Sequence, residues 1–314
     1  MRITTSLFIL LTFFVSQAQE KEYNSAIVKI NKFINGTLIT PYAEDEPVPL
    51  IVFIMDSGAV NRDGNDRMSK SDTFKKLAIE LAKKGIASFS YDKRLFTMDR
   101  FGIKENEISF DHFIDDATAT IDYFKENSKY TNIIVAGHGQ GSLIGMISAK
   151  GRADAFISLA GNGQSIDFVI LDQLSKQAPG LDKSAAIAFA ELRKYGKASS
   201  FDPALGSIFR YDLQPFMKSW IKYNPAEEIS NLEMPILIIH GEKDIQVELS
   251  EAEILISKAP KANQAIIPKM NHIFREIEGG RMENHKSYNE AWREIMPQFI
   301  DTIVTFVGEL NSDN

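Results

Sequence analysis

Residues 132–143, Asn-Ile-Ile-Val-Ala-Gly-His-Gly-Gln-Gly-Ser-Leu, constrain this chain more than any other stretch. Ile133 to Ala136 form an apolar run without alternation, the pattern of a strand buried on both faces. Gly137, Gly139 and Gly141 follow within five positions, and Ser142 and Leu143 begin a helical stretch. A strand that turns this sharply into a helix belongs to a β-α unit of a parallel sheet, and such a turn leaves no room for side chains at its outer positions. Taken alone, the stretch admits two readings. It is a glycine-rich turn that binds phosphate at a helix N-terminus, or a turn that displays its middle residue, position 139, at the sheet's edge.

The rest of the chain repeats the unit. Residues 26–30 and 36–40 read as an antiparallel strand pair, with Asn35-Gly36 as the turn signal between them. Leu50 to Met55, Ile86 to Tyr91, Ala155 to Ala160, Pro235 to His240 and Gln264 to Pro268 read as further strands. Helical stripes lie between them: Phe74, Leu77, Ala78 and Leu81; Phe110, Phe113, Ala117, Ile121 and Phe124; and Leu249, Ala252 and Leu255. A last helix is expected from about Ser287, with Trp292, Ile295, Phe299, Ile303 and Phe306 on its apolar face and Pro297 kinking or restarting it. Residues 165–224 break the rhythm: they carry helical patterns interrupted by Pro179, Pro203 and Pro215, and no strand. The pattern predicts an α/β fold with a mostly parallel sheet of eight strands, a core domain of residues 19–164 and 225–314, and a helical lid insertion at 165–224.

Length suffices for one large core, since the chain has 314 residues of which 44% are hydrophobic. The net charge of −7 and the lack of any basic run exclude nucleic acid as a partner. Arg2, the apolar run Leu7 to Val15 and the small residues of Ser16-Gln17-Ala18 predict a signal peptide over residues 1–18, so the mature chain is expected to begin near Gln19, exported to the periplasm or secreted, with no stable membrane anchor. The absence of cysteine rules out a thiol nucleophile, thiolate zinc sites, disulfides and a lipid-modified anchor. No histidine pair has ligand spacing, so no metal and no cofactor are expected.

Two further segments converge on position 139. His240-Gly241-Glu242-Lys243-Asp244 follows the strand after the insertion, and Lys269-Met270-Asn271-His272 follows the last strand. A displayed residue, then an acid, then a histidine, each just past a strand of one parallel sheet, is the chain order of the triad in α/β-hydrolases. Residues from about 36 to 305 resemble that family, in particular the serine aminopeptidase and dienelactone-hydrolase-like esterases, including exported bacterial members. Gly36-Thr37-Leu38, Asn61-Arg62-Asp63-Gly64-Asn65 and Tyr91-Asp92-Lys93-Arg94 add to the resemblance. It implies the α/β-hydrolase fold, hydrolysis of a small-molecule ester, amide or peptide, Asp244 and His272 as acid and base, and oxyanion donors at Gln140 and Ser57.

The chain departs from that pattern where the chemistry is most exacting. Gly139 stands where the family has its nucleophilic serine, the loop after the third strand begins Asp56-Ser57-Gly58, and Leu95 to Met98 replace glycines and a serine. Glycine offers no oxygen to attack with, but suits a strained turn. These departures predict an impaired acyl hydrolase, or an inactive homologue that binds a small molecule or peptide. A serine restored at 139 is expected to recover part of the activity through the Gln140 N–H. Asp56 has two readings: a carboxylate that opposes the developing oxyanion, or a loop-capping residue pointing away. Ser142 reads as helix packing, His138 as packed beside the sheet, His240 as bonded locally, and His112 and His285 as surface or helix-end residues. Asp63, Asp66 and Arg67 read as loop hydrogen-bonders, and Arg62 as a residue able to meet an acidic substrate group.

Overall fold

A computed structural model of the chain describes residues 22–42, 46–126 and 129–312. The signal peptide expected at 1–18 lies outside these residues. Eight strands form one sheet: β1 (Tyr23–Lys29), β2 (Asn35–Pro41), β3 (Val48–Ile54), β4 (Ala87–Tyr91), β5 (Tyr130–His138), β6 (Ala155–Leu159), β7 (Ile236–Gly241) and β8 (Asn263–Ile267), in the order β1-β2-β4-β3-β5-β6-β7-β8. The pairs β1–β2 and β2–β4 are antiparallel and all others parallel. This is the α/β-hydrolase fold.

The helices α1 (Thr73–Lys83), α2 (Arg94–Thr97), α3 (Phe110–Lys125) and α4 (Gln140–Ala149) follow β3, β4 and β5. After β6 come α5 (Ile166–Gln177), α6 (Leu181–Tyr195), α7 (Gly206–Phe209), α8 (Gln214–Trp220) and α9 (Pro225–Ser230); α10 (Leu249–Lys258), α11 (Arg281–Ser287) and α12 (Pro297–Ser312) complete the chain. The unalternating apolar strands are explained by two cores. Val52, Phe89, Val135 and Phe156 pack with α3, α4 and α10 on one face. Ile51, Phe53, Ile134 and Ile157 pack with α1 and α12 on the other. Each strand serves both, so polar alternation would bury unpaired groups.

Three local expectations are corrected. Asn35-Gly36 opens β2 instead of forming the turn; the turn is held by Asn31, whose side-chain oxygen accepts from the N–H of Phe33 and of Ile34. The terminal helix starts at Pro297, whose ring suits a first helical turn and ends what precedes it. Trp292 therefore lies outside α12 and is exposed, while Phe299, Ile303 and Phe306 are buried as expected. Residues 165–224 form their own small core of Ala185, Phe189, Leu192, Phe209 and Met217. They lean on α3 through Trp220, which stacks on Phe110 at 5.5 Å between ring centroids.

The turn between β5 and α4 is built at the steric limit. A Cβ on Gly137 would lie 2.1 Å from the Gly141 carbonyl oxygen, and one on Gly141 the same distance from that of Ile54. Backbone on both sides leaves nowhere to yield. Gly141→Ala is expected to lower stability by on the order of 3 kcal/mol, read from denaturant unfolding. An unchanged midpoint would show that α4 slides freely on β3.

Candidate active site

Strand register decides which loops meet. Ile54 of β3 pairs with Gly137 of β5, so two residues further on Asp56 comes to lie beside Gly139. The β7 and β8 ends pair at Gly241 and Ile267, which brings the loops carrying Asp244 and His272 to the same edge. The sequence-predicted residues Gly139, Gln140, Asp244 and His272 are thus gathered, and Asp56 stands among them.

His272 is held between two carboxylates. Its Nδ1–H donates to Asp244 Oδ2 at 2.7 Å and its Nε2–H to Asp56 Oδ2 at 3.1 Å. The side chains of His272 and Asp244 are 1% exposed, that of Asp56 19%. The other Asp56 oxygen, Oδ1, accepts the backbone N–H of Gln140 at 2.8 Å. Gly139 has φ 52° and ψ −116°, and a Cβ built on it would fall 2.0 Å from Asp56 Oδ1. The carboxylate of Asp56 therefore fills the space a side chain at 139 would need, and takes the Gln140 N–H. The loop-capping reading of Asp56 is excluded by these contacts.

The charges follow from the geometry. Burial opposes charge on His272, but Asp244 and Asp56 outweigh it and raise its pKa to about 10. Burial likewise works against the Asp56 carboxylate, and the hydrogen bond and charge of His272 overcome it, holding its pKa far below the usual range. Asp244 is lowered too, with the His272 charge outweighing its burial. His272 is thus an imidazolium at neutral pH, unable to take a proton until one carboxylate loses its charge. His138, lowered to about 4 by burial and by the neighbouring His272 charge, is neutral; its Nε2–H donates to the His272 carbonyl oxygen at 2.9 Å.

Lys93 is the residue that sequence reasoning missed. Although 5% exposed, its Nζ donates to the Asp56 main-chain oxygen and to Gln140 Oε1, tying the β3 loop to the first turn of α4. Burial lowers its pKa to about 7, with Asp56 pulling the other way. Its sequence signals were its place in the Tyr91-Asp92-Lys93-Arg94 stretch and at a strand end, between two charged residues that pair elsewhere: Arg94 with Asp116, and Asp92 with Arg62. That last pair corrects the reading of Arg62 as a substrate contact, since both its side chain and its N–H are engaged by Asp92.

The remaining residues fall as follows. Ser142 is fully buried, with its hydroxyl against that of Ser158 at 2.8 Å, and does not attack. His240 bonds the Val247 carbonyl oxygen, His112 accepts the Ser109 N–H at the start of α3, and His285 is exposed on α11. Asp66 accepts from the N–H of Met68 and of Ser69, and Arg67 meets Asp99 at the surface. Asp56, His138 and His272 carry ligand-type atoms within 4.8 Å of one another. A cation on that set would compete with the Nε2 proton that His272 donates to Asp56. A cavity of about 260 Å³ opens beside the cluster, lined by Asp56, Ser57, Phe74, Gln246, Ile273 and Tyr288 among others. None of its lining residues comes from 165–224.

Residues 37–259 match the sequence profile of the BD-FAE family. The chain is 27% identical over 246 residues to Esterase EstD of Thermotoga maritima, a match covering 74% of this chain and 56% of that protein; it spans about half the length of this curated relative. Among solved structures, Est1E from Butyrivibrio proteoclasticus superposes with a TM-score of 0.59 at 16% identity, covering 92% of this chain and 99% of that one. A ferulic-acid-bound form of Est1E gives 0.54 at 15% identity, covering 92% and 98%. Brefeldin A esterase, described as a bacterial homologue of human hormone sensitive lipase, gives 0.59 at 12% identity, covering 98% and 81%. At such identities these structures speak to the fold alone.

Proposed function

The chain belongs to the BD-FAE family, and from that premise we propose that its pocket takes small-molecule carboxylic esters while serine-type turnover of them is impaired. The relatives named above are esterases, one with a ferulic-acid complex, which favours esters over amides or peptides. The observation that carries the impairment is the Asp56 carboxylate standing on the open side of Gly139. Attack needs an oxygen at 139, a histidine free to accept its proton and a vacant N–H at Gln140. Glycine lacks the first; Asp56 takes the other two. Asp244 and His272 keep the family's acid and base places in this reading, and Gly139 the nucleophile's.

Loop residues between Ser57 and Phe74 wall the cavity and are assigned the choice of ligand, with 165–224 as a cap on the α3 side. An exported setting goes with the leader-like start of the sequence. The unmodified protein is expected to resist labelling by a fluorophosphonate and to hydrolyse p-nitrophenyl butyrate without a burst, while a ferulate ester still shifts its thermal midpoint upward. Rapid labelling would reveal a competent serine elsewhere and overturn the impairment. Absence of any shift with esters would overturn the ligand class.

A further inference from the structure

We propose that Asp56 is itself a covalent nucleophile, and that the site opens small epoxides to diols through an ester formed on the Asp56 carboxylate. The inference goes beyond the ester-binding reading; it shares with it only the missing side chain at 139, and its test does not depend on ester chemistry.

The two oxygens of Asp56 are differently placed. Oδ1 is fixed by the Gln140 N–H at 2.8 Å. Oδ2 faces His272 Nε2 at 3.1 Å, and Asp56 borders the cavity. Lys93 clamps the loop by donating to the Asp56 main-chain oxygen. A carboxylate held this way is a charged nucleophile needing no base to activate it. It reaches the position of a side chain at 139 from the neighbouring loop, which the Ile54–Gly137 register permits.

The donor arrangement selects the electrophile. Attack on an acyl carbon would create an oxyanion on the substrate, and the Gln140 N–H is already spent on Oδ1. Attack on a saturated carbon creates none. The same N–H is instead placed for a second step, in which water attacks Cγ of an Asp56 ester and negative charge develops on Oδ1. Among saturated electrophiles, a strained cyclic ether uses what the site holds: its oxygen leaves on the face away from Oδ2 but stays tethered through the neighbouring carbon, and rotation about that carbon–carbon bond brings it to the Nε2 proton of the His272 imidazolium.

The steps balance. As the Oδ2–carbon bond forms, the ring carbon–oxygen bond breaks on the opposite face, and the tethered alkoxide, turned about the carbon–carbon bond, then takes the Nε2 proton of His272. Asp56 is now a neutral ester, so one of the two charges that kept His272 protonated is gone, and the neutral ring, oriented by Asp244, can act as base. It accepts a proton from water as the hydroxide adds to Cγ. Collapse of the adduct breaks the bond between Cγ and the ester oxygen, and the departing diol oxygen takes the proton of the new carboxylic acid. Asp56 returns as carboxylate and His272 as imidazolium, with one water consumed.

The test uses the full chain with styrene oxide in water enriched in heavy oxygen, under single-turnover conditions. The expected result is phenyl diol in solution and one heavy oxygen in the peptide carrying Asp56, found by mass spectrometry. His272→Gln, in which the opened ring's oxygen takes its proton from solvent, is expected to form that peptide more slowly and to accumulate it with one styrene oxide attached, because the second step lacks its base. Asp56→Asn, shown folded by circular dichroism, is expected to lower diol formation to background. A wild-type Asp56 peptide free of heavy oxygen, with or without diol, overturns the proposal, and that reading needs no variant to fold. Diol formation undiminished in Asp56→Asn overturns it as well. Neither result bears on the fluorophosphonate and ester measurements, so the two readings fail separately.

Discussion

A serine placed at position 139 is expected to stay unreactive while Asp56 remains, and to become a labelled nucleophile once Asp56 is replaced by glycine. The sequence alone predicts partial recovery from Gly139→Ser. The structure reverses this for two reasons. The new Cβ would meet Asp56 Oδ1 at 2.0 Å, and a φ of 52° strains any residue with a Cβ, by about 1–3 kcal/mol. The Gln140 N–H is also bonded to that carboxylate and cannot serve an oxyanion. Removing the Asp56 side chain clears the space, frees the N–H and returns His272 to a ring that can accept a proton. One oxyanion donor is worth about 10²–10³ in kcat. Gly139→Ser with Asp56→Gly is therefore expected to react with a fluorophosphonate at least about 10²-fold faster than Gly139→Ser alone, measured as a second-order labelling rate. The single variant is expected to melt below the unmodified protein. Fast labelling of the single variant would show that Asp56 swings out of the way, and that its place beside Gly139 does not obstruct.

The fold was legible because strands buried on both faces write themselves as unalternating apolar runs, and Leu50–Met55, Ile133–Ala136 and Pro235–His240 are such runs. The spacing of Gly137 and Gly141 was legible because backbone packs directly against both. Asp244 and His272 were legible because each lies a few residues past a strand of the same sheet, where topology leaves little choice of direction. Asp56 was read only as far as its alternatives. Whether it points at Gly139 or away depends on the pairing of Ile54 with Gly137, a long-range register that local pattern does not encode. Lys93 and Arg62 were opaque for a related reason. A charged residue at a strand end reads as solvated until its partner is known, and here the partners are Gln140, 47 residues away, and Asp92, 30 away. Trp292 misled because its spacing fits a helical stripe, which the Pro297 restart cuts off.

Asp56→Asn should lower the pH at which His272 titrates. In the unmodified protein Asp244 and Asp56 together overcome burial and set the His272 pKa to about 10. Asparagine keeps the size of the side chain, removes one of the two charges and replaces one of the two accepting oxygens with an N–H donor. An opposite charge at this range is worth about 1–3 in pKa, so His272 is expected to titrate that much lower, followed by the ring proton signals in NMR. The sign of the effect on stability follows from linkage. His272 has a folded pKa above its ordinary 6.5, so its contribution is fully present below pH 6.5 and is lost as pH rises toward 10. Asp56 and Asp244 have folded values below their ordinary 3.8, so theirs is present above that pH and is lost as pH falls further. The cluster is therefore most stabilising between about pH 4 and 6.5. A tenfold change in proton affinity corresponds to about 1.4 kcal/mol, so at pH 6 the asparagine variant is expected to unfold with about 1–4 kcal/mol less free energy. The gap should close above about pH 10, where His272 has lost its proton in both proteins. A gap that stays constant from pH 6 to above pH 10 would mean that asparagine acts through packing and hydrogen bonding alone, and that the Asp56 charge does not help Asp244 hold His272 protonated.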